Sequence, residues 1–266
     1  MTAVASATVR VGTAGWGLPR QWRDRFPDGG SYLERYAACF SAVEINSSFY
    51  RPHRRAVYEK WAASVPQDFR FAVKLPQAIT HDQRLVAADV LLDVFLDDVR
   101  GLGDRLGPLL VQLPPSLEFD VPTADEFLAM LRSLHGGPIA CEPRHESWFT
   151  VEAEAMLIRY RIARAGADPA RWPAAAVPGG DGSLCYLRLH GSPQMYYSDY
   201  TESYLRGAAA LLRGRADAAR ECWCIFDNTT LGAATGNALT LSRLLAGEGE
   251  PGIVRSPPLA AGTPAD

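Results

Sequence analysis

Histidine is scarce in this chain, five residues in all, and cysteine equally so, with Cys39, Cys141, Cys185, Cys222 and Cys224 lacking the spacing of a metal finger. Cys222 and Cys224 fall on one face of a strand-like run, which suits core filling. No run approaches the roughly 18 apolar residues that a membrane span needs. The opening MTAVASATVR has no charged segment leading into an apolar one, so the expected location is cytoplasmic, with no membrane partner. Acids and bases are mixed along a chain of net charge −3, and no basic stripe advertises nucleic-acid binding. There is also no G-x-G-x-x-G, no phosphate-loop motif and no G-x-S-x-G elbow, which removes the commonest signals of dinucleotide binding and of serine-based covalent catalysis. No cofactor is called for.

What remains is a chain of 266 residues, 47% hydrophobic, able to bury a sizeable core without metal or disulfide. Eight short β-rich runs stand out: 9 to 15, 42 to 46, 69 to 75, 108 to 113, 138 to 143, 161 to 168, 184 to 190 and 222 to 228. They recur at about thirty residues, the size of a βαβ unit. Between them lie helix-period stretches such as SYLERYAACF, VYEKWAASV, ADEFLAMLRSL and ESYLRGAAALLRG. Thr123 with Glu126 reads as a capping box and Thr150 as an N-cap, while ARWPAAAVPGGDG is too rich in Pro and Gly for a full helix and reads as a loop. Strands alternating with helices over about 250 residues predict an α/β fold, a single (β/α)₈ barrel with a parallel eight-stranded sheet. The expected boundaries are a barrel domain over 1–248 and a loosely ordered tail over 249–266, whose GEPGIVRSPPLAAGTPAD lacks periodicity.

In such a barrel the carboxyl ends of the strands line the face that carries active sites. Here a polar residue closes nearly every strand. Glu44 and Asn46 end the second, Lys74 the third, Gln112 the fourth, Glu142 with Arg144 the fifth, Asp168 the sixth, Arg188 and His190 the seventh, and Asp227 with Asn228 the eighth. Strand alternation turns Ala140, Glu142 and Arg144 one way and Ile139, Cys141 and Pro143 the other. A purely structural ion-pair network is the competing reading, although burying so many charges for stability alone is expensive.

The motifs VGTAGW, VEINSSFY, FRFAVKLPQAITH, LLVQLPPS, CEPRHESWF, YLRLHGS with the tyrosines of MYYSDY, and FDNT…GNAL resemble, in order and spacing, those of the YecE-like family, domain of unknown function 72, over about residues 9 to 245. The resemblance implies a TIM-type barrel with its matched residues at one mouth. It implies no settled activity. Pro143 and the Asp227 that precedes Asn228 depart from the pattern.

The chemistry such a mouth can support is acid–base work on an anionic small-molecule ligand. Glu142, His190 and Glu44 are the catalytic candidates, carboxylates and an imidazole whose proton affinities burial and neighbours can tune. Lys74, Arg144 and Arg188 are the candidates for holding phosphate or carboxylate. Gln112, Asn46 and Asn228 add polar contacts, and Tyr50, Trp148 and Tyr200 add aromatic surface for a ring, or cover the mouth. Three classes stay open: a metal-independent hydrolase, lyase or isomerase; a divalent-metal nuclease or isomerase using Glu44, Glu142, His190 and Asp227; and a non-catalytic metabolite sensor. Oligomeric state is not legible.

Overall fold

A computed structural model of the chain describes residues 8–216 and 218–247. The tail read as 249–266 lies outside them. The strands are β1 (Thr8–Thr13), β2 (Ala42–Ile45), β3 (Arg70–Lys74), β4 (Leu106–Gln112), β5 (Ile139–Glu142), β6 (Ala163–Arg164), β7 (Gly166–Asp168), β8 (Gly179–Gly180), β9 (Leu184–Leu189) and β10 (Glu221–Phe226). The helices are α1 (Tyr32–Ala37), α2 (Ser47–Tyr50), α3 (Arg55–Ala63), α4 (Asp89–Val99), α5 (Val121–Leu134), α6 (Val151–Arg159), α7 (Glu202–Ala216) and α8 (Ala233–Leu245). The result is a mixed α/β fold with parallel sheets.

The single eight-stranded sheet expected from the sequence does not form. Instead there is a four-stranded sheet in the order β1-β10-β9-β7 and a six-stranded one in the order β2-β3-β4-β5-β6-β8. Every pairing is parallel except β6 with β8, whose two glycines carry no strand signal. The division arises because two seams are held by very few ladder bonds. At the first, Gly15 N donates to Glu44 O at 2.8 Å beside a lone Ala14–Glu44 bridge. There the backbones of β1 and β2 run so close that a Cβ on Gly12 would sit 2.2 Å from the Ala42 carbonyl oxygen. At the second, the segment from 163 to 168 changes partner at Ala165: β6 pairs with β5, Ala165 N reaches Cys141 O at 2.8 Å, and β7 pairs with β9.

Side-chain alternation sorts the strand residues into two apolar clusters. One, including Val43, Ile45, Phe71, Val73, Leu109, Val111, Ile139, Cys141, Cys185, Cys222 and Cys224, packs against the helices. The other, Ala42, Ala72, Leu110, Ala140, Ala163, Ala165, Leu184, Tyr186, Trp223 and Ile225, draws on strands of both sheets. Residues two positions beyond members of this second cluster, at the carboxyl ends of the strands, are Glu44, Lys74, Gln112, Glu142, Arg188 and Asp227. Parity therefore places all six on one side.

The helices start where local chemistry satisfies their free N–H groups. Thr150 Oγ1 accepts from Ala153 N, as its sequence position predicts, and Ser31 with Glu34 forms a capping box on α1. On α5 the expected cap is displaced: Asp120 accepts from Thr123 N at 3.0 Å, so Thr123 lies inside the first turn. A carboxylate three residues earlier, followed by Pro122, outcompetes the threonine for the start. The Pro/Gly-rich loop before β9 holds one short 3-10 turn, Pro173–Ala176, and β8.

Candidate functional site

Arg188 is the hub of the strand ends. It is fully buried, and its guanidinium donates from Nε to Glu44 Oε2 (3.0 Å), from Nη1 to Glu142 Oε2 (2.7 Å), and from Nη2 to Glu44 Oε1 (2.6 Å) and Asp227 Oδ2 (3.1 Å). The contact with Glu44 is a bidentate fork, the geometry that arginine rather than lysine makes. Tyr186 OH also donates to Glu44 Oε2, at 3.0 Å. Burial alone would strip the Arg188 proton, yet Glu44, Glu142 and Asp227 together hold its pKa well above the usual value. Buried charges of this density persist only when paired and hydrogen-bonded, as they are here.

His190 continues the network toward the surface. Its Nδ1 lies 3.1 Å from Asp227 Oδ2 and its Nε2 3.3 Å from Glu142 Oε1, but Nε2 has no hydrogen bond of acceptable geometry although it is buried. Burial disfavours the imidazolium, yet Glu142 and the bond to Asp227 outweigh it, so the pKa is raised. Glu142 goes the other way. Burial would push its carboxyl up, but Arg188, Arg144 and His190 hold it well below the usual range. Asp227, similarly buried, is lowered by Arg188 and His190. Tyr196 sits edge-on to the His190 ring, centroids 5.8 Å apart, from a backbone φ of 69° that a bulky residue seldom adopts.

A recess of about 620 Å³ of open space adjoins this cluster. Glu142, Arg144 and His190 form part of its wall, and Arg171, Trp172 and Met195 also line it. Arg144 donates from Nε to Glu142 Oε1 at 2.9 Å, and its terminal nitrogens have no hydrogen bond among the described residues.

Among the residues singled out in sequence, Glu142, His190 and Arg144 meet at this recess. Glu44 and Arg188 lie in the network behind it; Glu44 is fully buried and bonded to Arg188 and Tyr186, and the Arg188 donors are directed at carboxylates rather than at open space. Lys74 stacks its ammonium 3.7 Å over the Phe49 ring, and no carboxylate lies within 4.0 Å of it among the described residues. Burial and the nearby Arg188 bring its pKa down to about 8. Gln112 is buried and donates to Leu113 O at 3.0 Å, while Asn46 is half-buried with its Oδ1 unpartnered.

The remaining candidates serve as scaffold or rim. Trp148 is buried and donates to Leu117 O at 3.0 Å. Tyr200 OH accepts from Gly191 N and donates to Asp168 Oδ1, both at 2.8 Å, and Asn228 Nδ2 donates to Ser198 O and Asn237 Oδ1, also at 2.8 Å. The Tyr200 hydroxyl and the Asn228 amide nitrogen tie loops together, while Asn228 Oδ1 is buried without a partner among the described residues. Tyr50 is 74% exposed, its ring edge-on to Phe49. Sequence reasoning named Asp227 as a strand-end residue and as a ligand in the metal-dependent alternative but did not place it among the catalytic or binding candidates; its position four residues after Trp223 on the inward parity was the available signal. It also left out Arg171, Trp172 and Met195, which come from loops without periodicity.

The donor set does not suit a divalent cation. Among the described residues no three His, Cys, Asp or Glu side chains are arranged to hold a metal, and the space between Glu44, Glu142 and Asp227 is filled by the Arg188 guanidinium.

Over residues 10–261 the chain matches the family described as protein of unknown function DUF72. The chain belongs to that family. Among curated DUF72-like relatives, the UPF0759 protein YecE of Escherichia coli (strain K12) is 28% identical over 161 residues, 60% of this chain and 57% of its own. The UPF0759 protein YunF of Bacillus subtilis (strain 168) is 28% identical over 152 residues, 53% of this chain and 52% of its own. The chain thus matches little more than half the length of these relatives. Two solved DUF72 structures share the fold. The one from Thermotoga maritima MSB8 superposes with TM-score 0.76 at 24% identity, covering 90% of this chain and 99% of its own. The one from Enterococcus faecalis V583 gives 0.76 at 20%, covering 90% and 96%.

Proposed function

We propose that this DUF72 protein is a metal-independent acid–base enzyme, a hydrolase, lyase or isomerase, acting on a small molecule that carries a phosphate or carboxylate. His190 carries the reading: a buried imidazole anchored at Nδ1 by Asp227, with Nε2 unpartnered beside a recess that Arg144 and Arg171 flank. The Asp227 carboxylate fixes the tautomer, placing a proton on Nδ1 and leaving Nε2 as the exchanging position. With its pKa raised, His190 keeps a second proton to higher pH than a free imidazole does and can give it to a developing oxyanion or leaving group, then take one back. Glu142 is a poor general base, because its carboxyl stays ionised far below neutral pH. It holds Arg144 in place instead, and its charge favours the His190 imidazolium. The free end of Arg144, with Arg171, suits an anionic handle on the ligand.

The same reading treats the two sheets as one ring. The hydrogen bonds at both seams and the apolar cluster shared between the sheets support a (β/α)₈ barrel spanning the folded domain, with the recess at its carboxyl-end mouth. Among the described residues no helix is long and apolar enough to cross a membrane, which fits the proposed cytoplasmic location.

The test is calorimetric titration of a panel of phosphorylated and carboxylated metabolites into wild type, Arg144→Ala and His190→Gln, followed by product analysis. The proposal expects binding that Arg144→Ala weakens at least about tenfold, and turnover that His190→Gln abolishes. Binding without turnover in wild type would instead favour a sensor, and binding indifferent to Arg144 would sink the site.

A further inference from the structure

At the opposite end from the candidate site, the amino ends of the strands surround a second concavity. Two adjoining recesses, of about 1000 and 890 Å³ of open space, share Arg70, Leu106, Gly107, Gly137 and Pro138 in their walls. Arg132, Arg161 and Arg220 line the first and Arg105 the second, so five guanidinium groups face one depression. Against them stand two carboxylates, Glu221 and Asp104. In a chain of net charge −3, so cationic a floor is a local arrangement rather than a consequence of composition.

The groups are close enough to oppose one another. Arg161 and Arg132 sit near each other, as do Arg70 and Arg10, the latter buried just beneath the floor; burial first, and then the neighbouring guanidinium, lowers the pKa of Arg132 and of Arg10. Glu221 is engaged below, 3.6 Å from Arg10 Nε and accepting from Trp223 Nε1 at 3.1 Å. Arg132 donates to the carbonyls of His135, Gly137, Tyr160 and Arg161, a bracing role that fixes its position. Arg70 Nη1 is likewise taken, by the carbonyls of Gln67 at 2.8 Å and Phe69 at 3.0 Å, and the other three are freer. Side chains of Arg161, Arg220 and Arg105 make no hydrogen bond or ion pair among the described residues, and Arg105 Nε and His135 Nε2 are buried without a partner. Guanidinium groups that outnumber the carboxylates beside them repel one another, and a bound anion relieves that cost.

We propose that this floor is a second binding site, distinct from the mouth, for a compact polyanion of the di- or triphosphate class. The chemistry selects the class. Guanidinium forks match phosphate oxygens, several cations over two joined recesses suit several linked phosphates better than one, and neither wall carries a Phe, Tyr or Trp for stacking a base, the His135 ring being the one aromatic group in them. Occupancy draws together residues at the starts of β3, β4 and β10 and the loops before β5 and β6. It therefore tightens the sheet ends without touching His190 or Glu142.

The experiment uses the full chain and sodium triphosphate as probe, titrated calorimetrically at constant ionic strength, with sulfate and orthophosphate as comparators. The variants are Arg161→Glu with Arg220→Glu, both exposed and without side-chain partners among the described residues, and separately Arg144→Ala at the mouth. Expected are saturable binding of triphosphate, at least about tenfold tighter than of orthophosphate, a loss of about tenfold or more in the floor variant, and none in Arg144→Ala. Thermal stability should rise with triphosphate in wild type and in Arg144→Ala but not in the floor variant. The proposal is overturned by an absence of binding, by equal response to all anions at matched ionic strength, or by binding that Arg144→Ala abolishes and the floor variant retains.

Discussion

Replacing Arg188 by Met keeps much of the side chain's length and apolar stem while removing the guanidinium from among three carboxylates. Four charge-assisted hydrogen bonds disappear. Taken singly at about 1.5–3 kcal/mol they would sum to about 6–12 kcal/mol, but that is an upper bound, because stranded carboxylates escape by taking up protons. Removing one member of a buried ion pair costs about 3–5 kcal/mol, and we expect about 4 kcal/mol at pH 7.5, a large share of the total stability of a domain. The corresponding fall in melting temperature is about 10 °C. The sign of the pH dependence follows from the carboxylates. In the wild type the folded pKa values of Glu142 and Asp227 are depressed, so their contribution is present above the unfolded values near pH 4 and is lost as pH falls below them. In Arg188→Met burial prevails and those values rise, so the variant loses stability as pH increases through them. The gap between the two proteins therefore widens from pH 4.5 to pH 7.5. Urea unfolding followed by circular dichroism at both pH values measures it. A gap under about 1 kcal/mol at pH 7.5, or one that does not change with pH, would refute the view of Arg188 as the counter-charge of this network.

Gly12→Ala should destabilise by about 2–3 kcal/mol, since its Cβ would lie 2.2 Å from the Ala42 carbonyl oxygen, whereas Gly136→Ala, with nothing within 4 Å, should be close to neutral in the same unfolding assay. Asp120→Ala should cost about 1 kcal/mol as the loss of an N-cap, and Thr123→Ala only a few tenths, so the two variants distinguish the observed start of α5 from the one read in sequence. Lys74 is one of two lysines in the chain, the other being Lys60. Its labelling by acetic anhydride should show a midpoint near pH 8, because burial and Arg188 lower its pKa to about 8. A midpoint near the ordinary lysine value of about 10.4 would mean that its amine is more solvated or better paired than the structure shows.

The strand ends were legible because alternation is strict. Once Ala140 is inward, so is Glu142, and the same step from Ala42, Ala72, Tyr186 and Ile225 delivers Glu44, Lys74, Arg188 and Asp227. What alternation cannot convey is partnership. Sequence offered Arg188 as a ligand-holding cation; its neighbours, set by the convergence of β2, β5, β9 and β10, fill its hydrogen-bonding capacity with carboxylates. The rest of the recess wall was illegible for a different reason. Arg171, Trp172 and Met195 sit on loops whose course depends on Tyr200, Asn228 and Asn237 bonds between distant segments. The division into two sheets also escaped pattern reading, because it depends on a few backbone bonds at Gly15 and Ala165 rather than on side chains.

The central claim, that His190 is an imidazole whose protonated form its carboxylate neighbours favour beside an anion-accepting recess, is tested most directly by NMR titration of the histidine ring nitrogens, with His190→Gln to assign the resonance. His53, His81 and His135 are lowered, burial being the main cause, His135 to about 4. His190 is predicted to titrate above the ordinary value of about 6.5, with its Nδ1 proton protected by Asp227, and to lose part of that elevation in Asp227→Asn while Glu142 keeps the rest. A His190 that titrates below the ordinary value, or one indifferent to Asp227, would contradict the account.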